Sequence, residues 1–468
     1  MAGYALIGKN INHSQSPLIH SIIGNYRYDI IDIPSYKLLP EVMANSEYDG
    51  FNITSPYKND IIKYLDDLDE TARKIQSVNV VKREKNGKLK GYNTDAAGFG
   101  YMLESRVIGK KCAVLGTGGA AVAVRESLLE NGARDVILIS REPDNSDKRK
   151  CCNECQIAGY DEKQKYEDCE IIVNATPVGQ YPHLDSIPLR MTYNGKRLFN
   201  HLELAIDLIY NPYRTRFLQD AKRINGCIVI NGIEMLIAQA LLSNLIWFSD
   251  NEDDIKISCT NFESIDRDKI VSIKEKIIRK QMNIVAVGMP GSGKTTIFRR
   301  YAREQNLKFV DIDARTEKLL GMPIADMITS SDDGEEKFRV AECDAVKDIS
   351  LLNGNVIATG GGTIINPINR DFLRSNGIVV YMKRPIELLS TRNRPLSKKL
   401  GTRYIFNKRK RIYKKVSDLQ IINAEVFGKQ EGKLNKKNTY NYRFGRYVLY
   451  MISKIDEHIK YMSESRTV

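Results

Sequence analysis

The stretch GMPGSGKTT at residues 288–296, directly behind the apolar run NIVAV, constrains this chain more than any other. Gly288, Gly293, Lys294 and Thr295 satisfy the spacing GxxxxGK[ST]. Such a loop belongs between a buried strand and the helix that follows, because its backbone N–H groups turn inward around a phosphate chain. A parallel α/β module is therefore expected from about residue 282. Within it Gly291, Ser292, Gly293, Lys294, Thr295 and Thr296 are expected to hold the ATP phosphates, with Lys294 neutralising charge and the Thr295 hydroxyl meeting Mg²⁺. The loop says nothing of the acceptor, and it leaves 287 preceding residues to be explained.

A chain of 468 residues exceeds one core, since domains hold roughly 100–200 residues. At 42% hydrophobic and 28% charged it has enough apolar material for several. Its longest apolar stretch, MLIAQALLSNLIWF, is too short for a membrane span and carries Gln239, Ser243 and Asn244. MAGYALIG opens directly into a strand-like pattern, without a signal peptide, so a cytoplasmic protein with no membrane partner is expected. Eight scattered cysteines fit reduced thiols, and the cluster CCNEC at 151–155 lacks the second pair of ligands that zinc requires. From Arg392 onward 20 Lys or Arg face 6 Asp or Glu, which confines the basicity of a +13 chain to its end. That suits a solvated surface or anionic small molecules; nucleic acid is an unlikely partner on this reading, and a homo-oligomer is compatible with it.

A second glycine loop lies in KKCAVLGTGGAAVAVRESLLENGARDVILIS, where strand, turn, helix and strand follow within about 30 residues. Gly116, Gly118 and Ala121 fill GxGxxG/A: a tight turn, a close backbone approach to a pyrophosphate, and tight packing of helix on strand. Thr117, Gly119 and Ala120 share that turn, and Leu208 and Gly232 complete the expected cofactor set. The strand VILI ends in Ser140 and Arg141, not in an acidic residue. A guanidinium there forks onto a 2′-phosphate, so NADP or NADPH is the expected cofactor. Glu142, one residue further, keeps NAD open.

The pattern divides as an α/β substrate domain at 1–101, completed by a helix at about 232–250, then a Rossmann NADP-binding domain at 102–231. A linker helix at 249–281, a P-loop domain with a parallel central sheet at 282–428, and a basic, Tyr-rich extension at 429–468 follow.

Hydride transfer to a carbonyl needs a group that manages the proton on oxygen, and the first domain offers Lys58 in NITSPYK and Asp95 in GYNTD. Taken alone, one reads as a solvated lysine and the other as part of a helix cap. With HSQSP at 13–17 they resemble shikimate dehydrogenase over residues 4–250. The family's further motifs stand as Asn52-Ile53-Thr54, Asn79, Asn93-Thr94-Asp95, NATPVG at 174–179, DLIYNP at 207–212 and Asn231 to Gln239. The resemblance implies that Ser14, Ser16, Thr54, Asn79, Asp95, Tyr210 and Gln239 line a shikimate pocket, with Lys58 and Asp95 as catalytic pair. Ser55, Tyr57 and Val80 depart mildly from the family pattern. The presence of both serines favours shikimate over quinate.

Downstream of the phosphate loop, Asp311 and Asp313 in FVDIDA are expected two apart at a strand end, both side chains on one face. Arg339, Arg409 and the glycines of ATGGG add two guanidinium groups and bare backbone, a set suited to a small polyol that carries a carboxylate. These residues resemble shikimate kinase over about 282–426, through DxD, GExxFR, TGGG, RPL and RxxxY. By that resemblance Asp313, Arg339, Gly361, Gly362 and Arg409 hold shikimate, Asp313 and Lys294 are catalytic, and Asp311 serves Mg²⁺ with Thr295. Arg394 comes from a lid over ATP. Only Asn393 separates ELLSTR from RPL, a shorter lid than the family's. Two readings follow: a bifunctional enzyme that makes shikimate and then phosphorylates it, or an active dehydrogenase fused to a regulatory ATP-binding module.

Overall fold

The computed structural model describes residues 3–12, 14–144, 155–193, 196–251, 255, 257–389, 401–423 and 436–468. His13, most of the CCNEC cluster, Asn393 and Arg394 lie outside the described residues.

Three sheets follow one another along the chain. The first is built from β1 (Gly3–Gly8), β2 (Arg27–Asp32), β3 (Gly50–Ile53), β4 (Asp67–Leu68), β5 (Val80–Arg83) and β6 (Leu89–Tyr92), in the order β2-β1-β3-β5-β6-β4. β5 runs antiparallel to both of its neighbours. Every residue of β1 is buried, as a central strand requires.

The second sheet contains β7 (Lys111–Leu115), β8 (Asp135–Ser140), β9 (Gln156–Gly159), β10 (Ile171–Asn174), β13 (Leu204–Asp207) and β14 (Ile228–Asn231), with a small ribbon of β11 (Thr192–Tyr193) and β12 (Lys196–Arg197) beside it. Its order is β14-β13-β10-β7-β8-β9, and all its pairings are parallel. Counted from its own first strand this is 3-2-1-4-5-6, the doubly wound dinucleotide order, whose ligand crevice opens where the order reverses. That point lies between β7 and β10, just where the glycine turn at Gly116 begins.

The third sheet, β15 (Asn283–Val287), β16 (Lys308–Asp311), β17 (Asn355–Ala358), β18 (Gly377–Lys383) and β19 (Leu419–Ile422), is parallel throughout, in the order β16-β17-β15-β18-β19. β15 is its central strand and is fully buried.

Between the second and third sheets the structure departs from the sequence expectation. The helix of the 249–281 segment occupies only Arg267–Gln281, and it is a core element, not a free linker. Ile270, Ile273, Ile277 and Ile278 are buried on it at helical spacing. They belong to one apolar cluster that runs from Ile19, Ala97 and Ile237 into Ile284, Phe298 and Val380. The basic extension also packs: its helix Lys436–Glu464 buries Val448, Met451, Ile455 and Ile459 in that same cluster. Its end returns to the second sheet, where the Val468 N–H donates to the Val229 carbonyl.

Cys112, Cys169, Cys227, Cys259 and Cys343 are free, but Cys155 is disulfide-bonded, which corrects the expectation of reduced thiols throughout. Among the described residues no group of three or more His, Cys, Asp or Glu forms a metal cluster, and no helix is long and apolar enough to cross a membrane.

Candidate active sites

The first cleft, about 600 Å³, opens between the first two sheets and is lined by Ser14, Ser16, Thr54, Lys58, Asn79, Tyr210 and Gln239 together with Ala120, Thr176 and Leu208. Lys58 follows β3 in the NITSPYK turn; Asp95 opens the helix Asp95–Leu103. The two meet with Nζ 2.5 Å from Oδ2, the lysine side chain 16% exposed and the aspartate 2%. The second oxygen of Asp95 accepts a hydrogen bond from Asn79 Nδ2 at 2.9 Å, and Asn79 Oδ1 accepts from the Thr94 N–H at 2.8 Å. Gln239, on the helix Ile233–Phe248, faces the same amide at 3.4 Å. The carboxylate is thus fixed in direction, and the ammonium it holds keeps one face on the cleft.

At the far wall Ser14 Oγ donates to Ser16 Oγ over 3.1 Å. Tyr210 is enclosed beside Ser14, and burial pushes its phenol up from the usual tyrosine range.

The cofactor loop lies where the sheet order put it. Gly116 has φ +113°, a left-handed conformation that side chains disfavour, and Gly118 caps the helix Gly119–Glu130. The backbone around Gly118 is open, since a Cβ there would meet nothing within 4 Å. N–H groups at a helix start suit an anion such as a pyrophosphate. Thr117, Gly119 and Ala120 surround this helix start. Leu208 and Gly232 touch across the base of the crevice, where a Cβ on Gly232 would fall 2.0 Å from the Leu208 carbonyl oxygen. Ser140 is buried at the end of β8, and its Oγ accepts from the Glu142 N–H at 3.0 Å; Arg141 beside it is exposed.

Deeper in this half Asp207 closes β13, accepting from Asn174 Nδ2, the Ile209 N–H and Thr215 Oγ1. Burial outweighs these three donors and pushes its carboxyl up to about 7.

In the third sheet the phosphate loop, the end of β16 and the glycines after β17 gather at the C-terminal strand ends. Lys294 Nζ folds back onto the carbonyls of Gly288 and Met289, at 2.8 and 3.1 Å, and is 7% exposed. Gly291, Ser292 and Gly293 complete the loop; Thr295 and Thr296 begin the helix Lys294–Glu304. The loop is also tied to the end of β19, where Asn423 Nδ2 donates to the Ser292 carbonyl at 2.7 Å. Thr295 Oγ1 stands 3.5 Å from Asp311 Oδ2, two hard oxygens of the kind Mg²⁺ takes alongside phosphate and water.

Asp311 and Asp313 do not alternate along a strand, as the sequence reading had it. β16 stops at Asp311, which caps the helix Ile312–Leu320 by accepting from the Asp313 N–H at 3.0 Å. An aspartate at a helix start prefers this capping bond to continued extension, so Asp313 sits in the first helical turn. Burial raises its carboxyl to about 6, helped by the charges of Asp311 and Glu342 and opposed by Lys294.

Arg339 is held by Glu342 at 2.8 Å, and its guanidinium leaves no room at Gly362, where a Cβ would approach it to 2.9 Å. Arg409 NH1 donates to the Gly361 carbonyl at 2.9 Å and Tyr413 Oη to the same oxygen at 2.5 Å. Asp313, Arg339 and Arg409 therefore gather around the glycine backbone at 360–362.

Glu342, Asn423 and His20 escaped the sequence reading, and Asn52 entered it only as part of a motif. Glu342 lies three residues beyond Arg339, a helical spacing that was available as a signal. Asn423 follows β19 with no motif around it. His20 lines the first cleft, stacks on Tyr28 and is held neutral because burial pulls it down to about 3. Asn52 joins the same wall through Ser243 Oγ at 2.9 Å.

Sheet order and loops together define a nucleotide-dependent chain of two modules, a dinucleotide-type oxidoreductase half and a P-loop half. Residues 6–81 match the family model of the shikimate dehydrogenase substrate binding domain, and residues 290–429 match that of shikimate kinase. The N-terminal half is 37% identical over 259 residues to a shikimate dehydrogenase (NADP(+)) of Clostridium beijerinckii, covering 53% of this chain and 92% of that protein. A shikimate dehydrogenase (NADP(+)) of Methanococcus maripaludis is 38% identical over 261 residues, covering 52% and 90%. A crystal structure of shikimate dehydrogenase 1 from Peptoclostridium difficile, 32% identical, aligns over 55% of this chain and 94% of that one with a TM-score of 0.49. The chain belongs to the shikimate dehydrogenase family, with a shikimate kinase domain following the dehydrogenase half.

Proposed function

We propose that the chain catalyses two consecutive steps: NADPH-dependent reduction of 3-dehydroshikimate to shikimate in the first cleft, and ATP-dependent phosphorylation of shikimate at its 3-hydroxyl in the P-loop module. The observation that carries the first step is the Lys58–Asp95 pair, 2.5 Å apart, in the cleft that also reaches Ala120, Thr176 and Leu208. The NADP(+) in the relatives' names agrees with Arg141 just beyond the end of β8.

NADPH, when bound, supplies the hydride to C3. Lys58 lies where its ammonium gives a proton to the oxygen as the carbonyl becomes an alkoxide, while Asp95 keeps the pair electrically balanced and aims the nitrogen. Ser14, Ser16, Thr54, Asn79, Tyr210 and Gln239 orient the ring and its carboxylate.

In the second module Lys294 and the loop N–H groups would meet the phosphates of ATP, and Thr295 and Asp311 would hold Mg²⁺, which would neutralise charge on the β- and γ-phosphates. Arg339 and Arg409 receive the carboxylate of shikimate, while Asp313 accepts the proton of the 3-hydroxyl as it attacks the γ-phosphate. The new bond forms from that oxygen to phosphorus, and ADP leaves.

A coupled assay with 3-dehydroshikimate, NADPH and ATP, following NADPH loss and ADP gain, tests the pair. Lys58→Ala is expected to lower dehydrogenase turnover by roughly 10²–10⁴-fold and to leave shikimate-dependent ADP release intact; Lys294→Ala is expected to do the reverse. ATP binding without shikimate-dependent ADP release would replace the kinase reading with a regulatory nucleotide module.

A further inference from the structure

The wall of the dehydrogenase cleft is not held by the dehydrogenase half alone. Tyr210 lies on the segment after β13, and the backbone of that segment is gripped from the kinase side. Gln281, the last residue of the helix that leads into β15, donates from Nε2 to the Tyr210 carbonyl at 2.9 Å. Asn376, the residue before β18, accepts at Oδ1 from the Tyr213 N–H at 2.7 Å and donates from Nδ2 to Asn211 Oδ1 at 3.0 Å. A backbone N–H can only donate, so the Tyr213 contact fixes which way the Asn376 amide faces. Its remaining capacity is spent within reach of Gln281 and Asn353, at 3.1 and 3.2 Å. Asn376 is 2% exposed, Asn211 5% and Gln281 2%, so water cannot replace any of these partners.

The neighbouring residues repeat the pattern. The Arg214 N–H donates to the Ser375 carbonyl at 2.8 Å, and its guanidinium reaches the Gly377 carbonyl at 2.9 Å and Asp418 at 3.2 Å. The second wall of the cleft, Gln180 to Pro182, joins through the Tyr181 N–H on the Asn211 carbonyl. Asn211 therefore links both walls, and Asn376 holds Asn211.

We propose that Asn376, contributed by the kinase module, is a positioning residue for the dehydrogenase cleft: through Asn211 and Tyr213 it sets where Tyr210 stands against the substrate. The proposal rests on reading that cleft as the dehydrogenase site. Removing the amide strands the Tyr213 N–H in a dry interface and leaves the Asn211 oxygen only the longer bond from Gln281 Nε2, at 3.3 Å, and the segment shifts to satisfy the loss. Tyr210 then moves relative to Ser14, while Lys58 and Asp95, anchored on other elements, stay put.

The test is steady-state kinetics of the full chain in the direction of shikimate oxidation with NADP, on Asn376→Ala, with the near-ultraviolet spectrum and kinase rate as checks on the fold. KM for shikimate is expected to rise about tenfold, the size set by stranding one buried partner, with kcat and the kinase parameters little changed. In a Tyr210→Phe background the same substitution is expected to have a much smaller effect on KM, which a merely structural defect would not produce. Should Asn376→Ala misfold, Gln281→Met, which removes the grip on the Tyr210 carbonyl, is expected to give the same split. An unchanged KM in a folded variant, or an equal rise in both backgrounds, overturns the proposal. A wild-type chain without shikimate oxidation overturns the reading of the cleft itself and this inference with it.

Discussion

Lys274 and Glu234 stand 2.8 Å apart in a place that water does not reach, their side chains 1% and 3% exposed. They join the helix that ends the dehydrogenase half to the helix that leads into β15. Arg267 holds the other Glu234 oxygen at 2.8 Å, Arg466 approaches it at 3.4 Å, and Lys274 also donates to the Ser465 carbonyl. One carboxylate thus compensates three cations from two segments. Glu234→Ala is expected to destabilise the chain by roughly 3–5 kcal/mol, because it leaves a buried ammonium uncompensated. Lys274→Met removes a charge whose carboxylate keeps Arg267, and a smaller loss is expected. Thermal unfolding of the two variants side by side measures the difference.

The shared apolar cluster makes a second expectation. Trp247 is the only tryptophan; it stacks on Tyr4 at 4.3 Å, and its Nε1 donates to the Val81 carbonyl at 3.0 Å. Its fluorescence therefore reports the first sheet. Because one core runs from Ile19 to Val380, urea unfolding followed at Trp247 is expected to coincide with loss of shikimate-dependent ADP release. Two separated transitions would show that the halves unfold independently.

Asp313 sets a pH dependence for the second step. Its carboxyl is raised to about 6, so the charged form that accepts the hydroxyl proton is lost as pH falls through that value. Kinase kcat/KM is expected to rise between about pH 5 and 7 and then level. In Asp313→Asn the rate is expected to drop by at least roughly 10²-fold and to lose that limb. The sign for stability is opposite: the folded state holds this proton above the usual aspartate value, so protonation favours folding at low pH and the gain disappears as pH rises past about 6. Asp313→Asn is accordingly expected to unfold at a slightly higher temperature than wild type at pH 7.

The segment that carries Tyr210 meets the third sheet at its strand starts, whereas the phosphate loop stands at the strand ends. Gln281, Asn376, Gly377 and Asp418, which touch the dehydrogenase half, are at or just before strand starts, whereas the phosphate loop and Asp311 follow strand ends. Four to seven strand residues at about 3.3 Å each separate the two edges. Shikimate is therefore expected to pass through solvent between the steps. The lag before steady ADP release from 3-dehydroshikimate should be the same for wild type as for an equimolar mixture of Lys58→Ala and Lys294→Ala chains. A clearly shorter lag in wild type would mean direct transfer.

The local parts of this protein were legible in its residues. Apolar runs followed by glycine turns announced both nucleotide loops, because a strand, a tight turn and a helix start are dictated over short stretches by φ/ψ limits and hydrogen-bonding needs. Lys58, Asp95, Arg339 and Arg409 stood out for the same reason: each belongs to a short motif. Asp313 was singled out yet placed on the end of a strand, whereas it stands in a helical first turn that its neighbour Asp311 caps.

The sequence by itself determined which modules exist and which side chains carry charge into them. Tertiary structure alone decided how the modules are joined: that the helix Arg267–Gln281 is core and not linker, that the final residues return to β14, and that Asn376 reaches the wall of a cleft 165 residues away along the chain. Contacts of that kind depend on which buried amides find partners when whole sheets meet. No local pattern records it, because an asparagine that holds a distant loop looks in sequence like any asparagine before a strand.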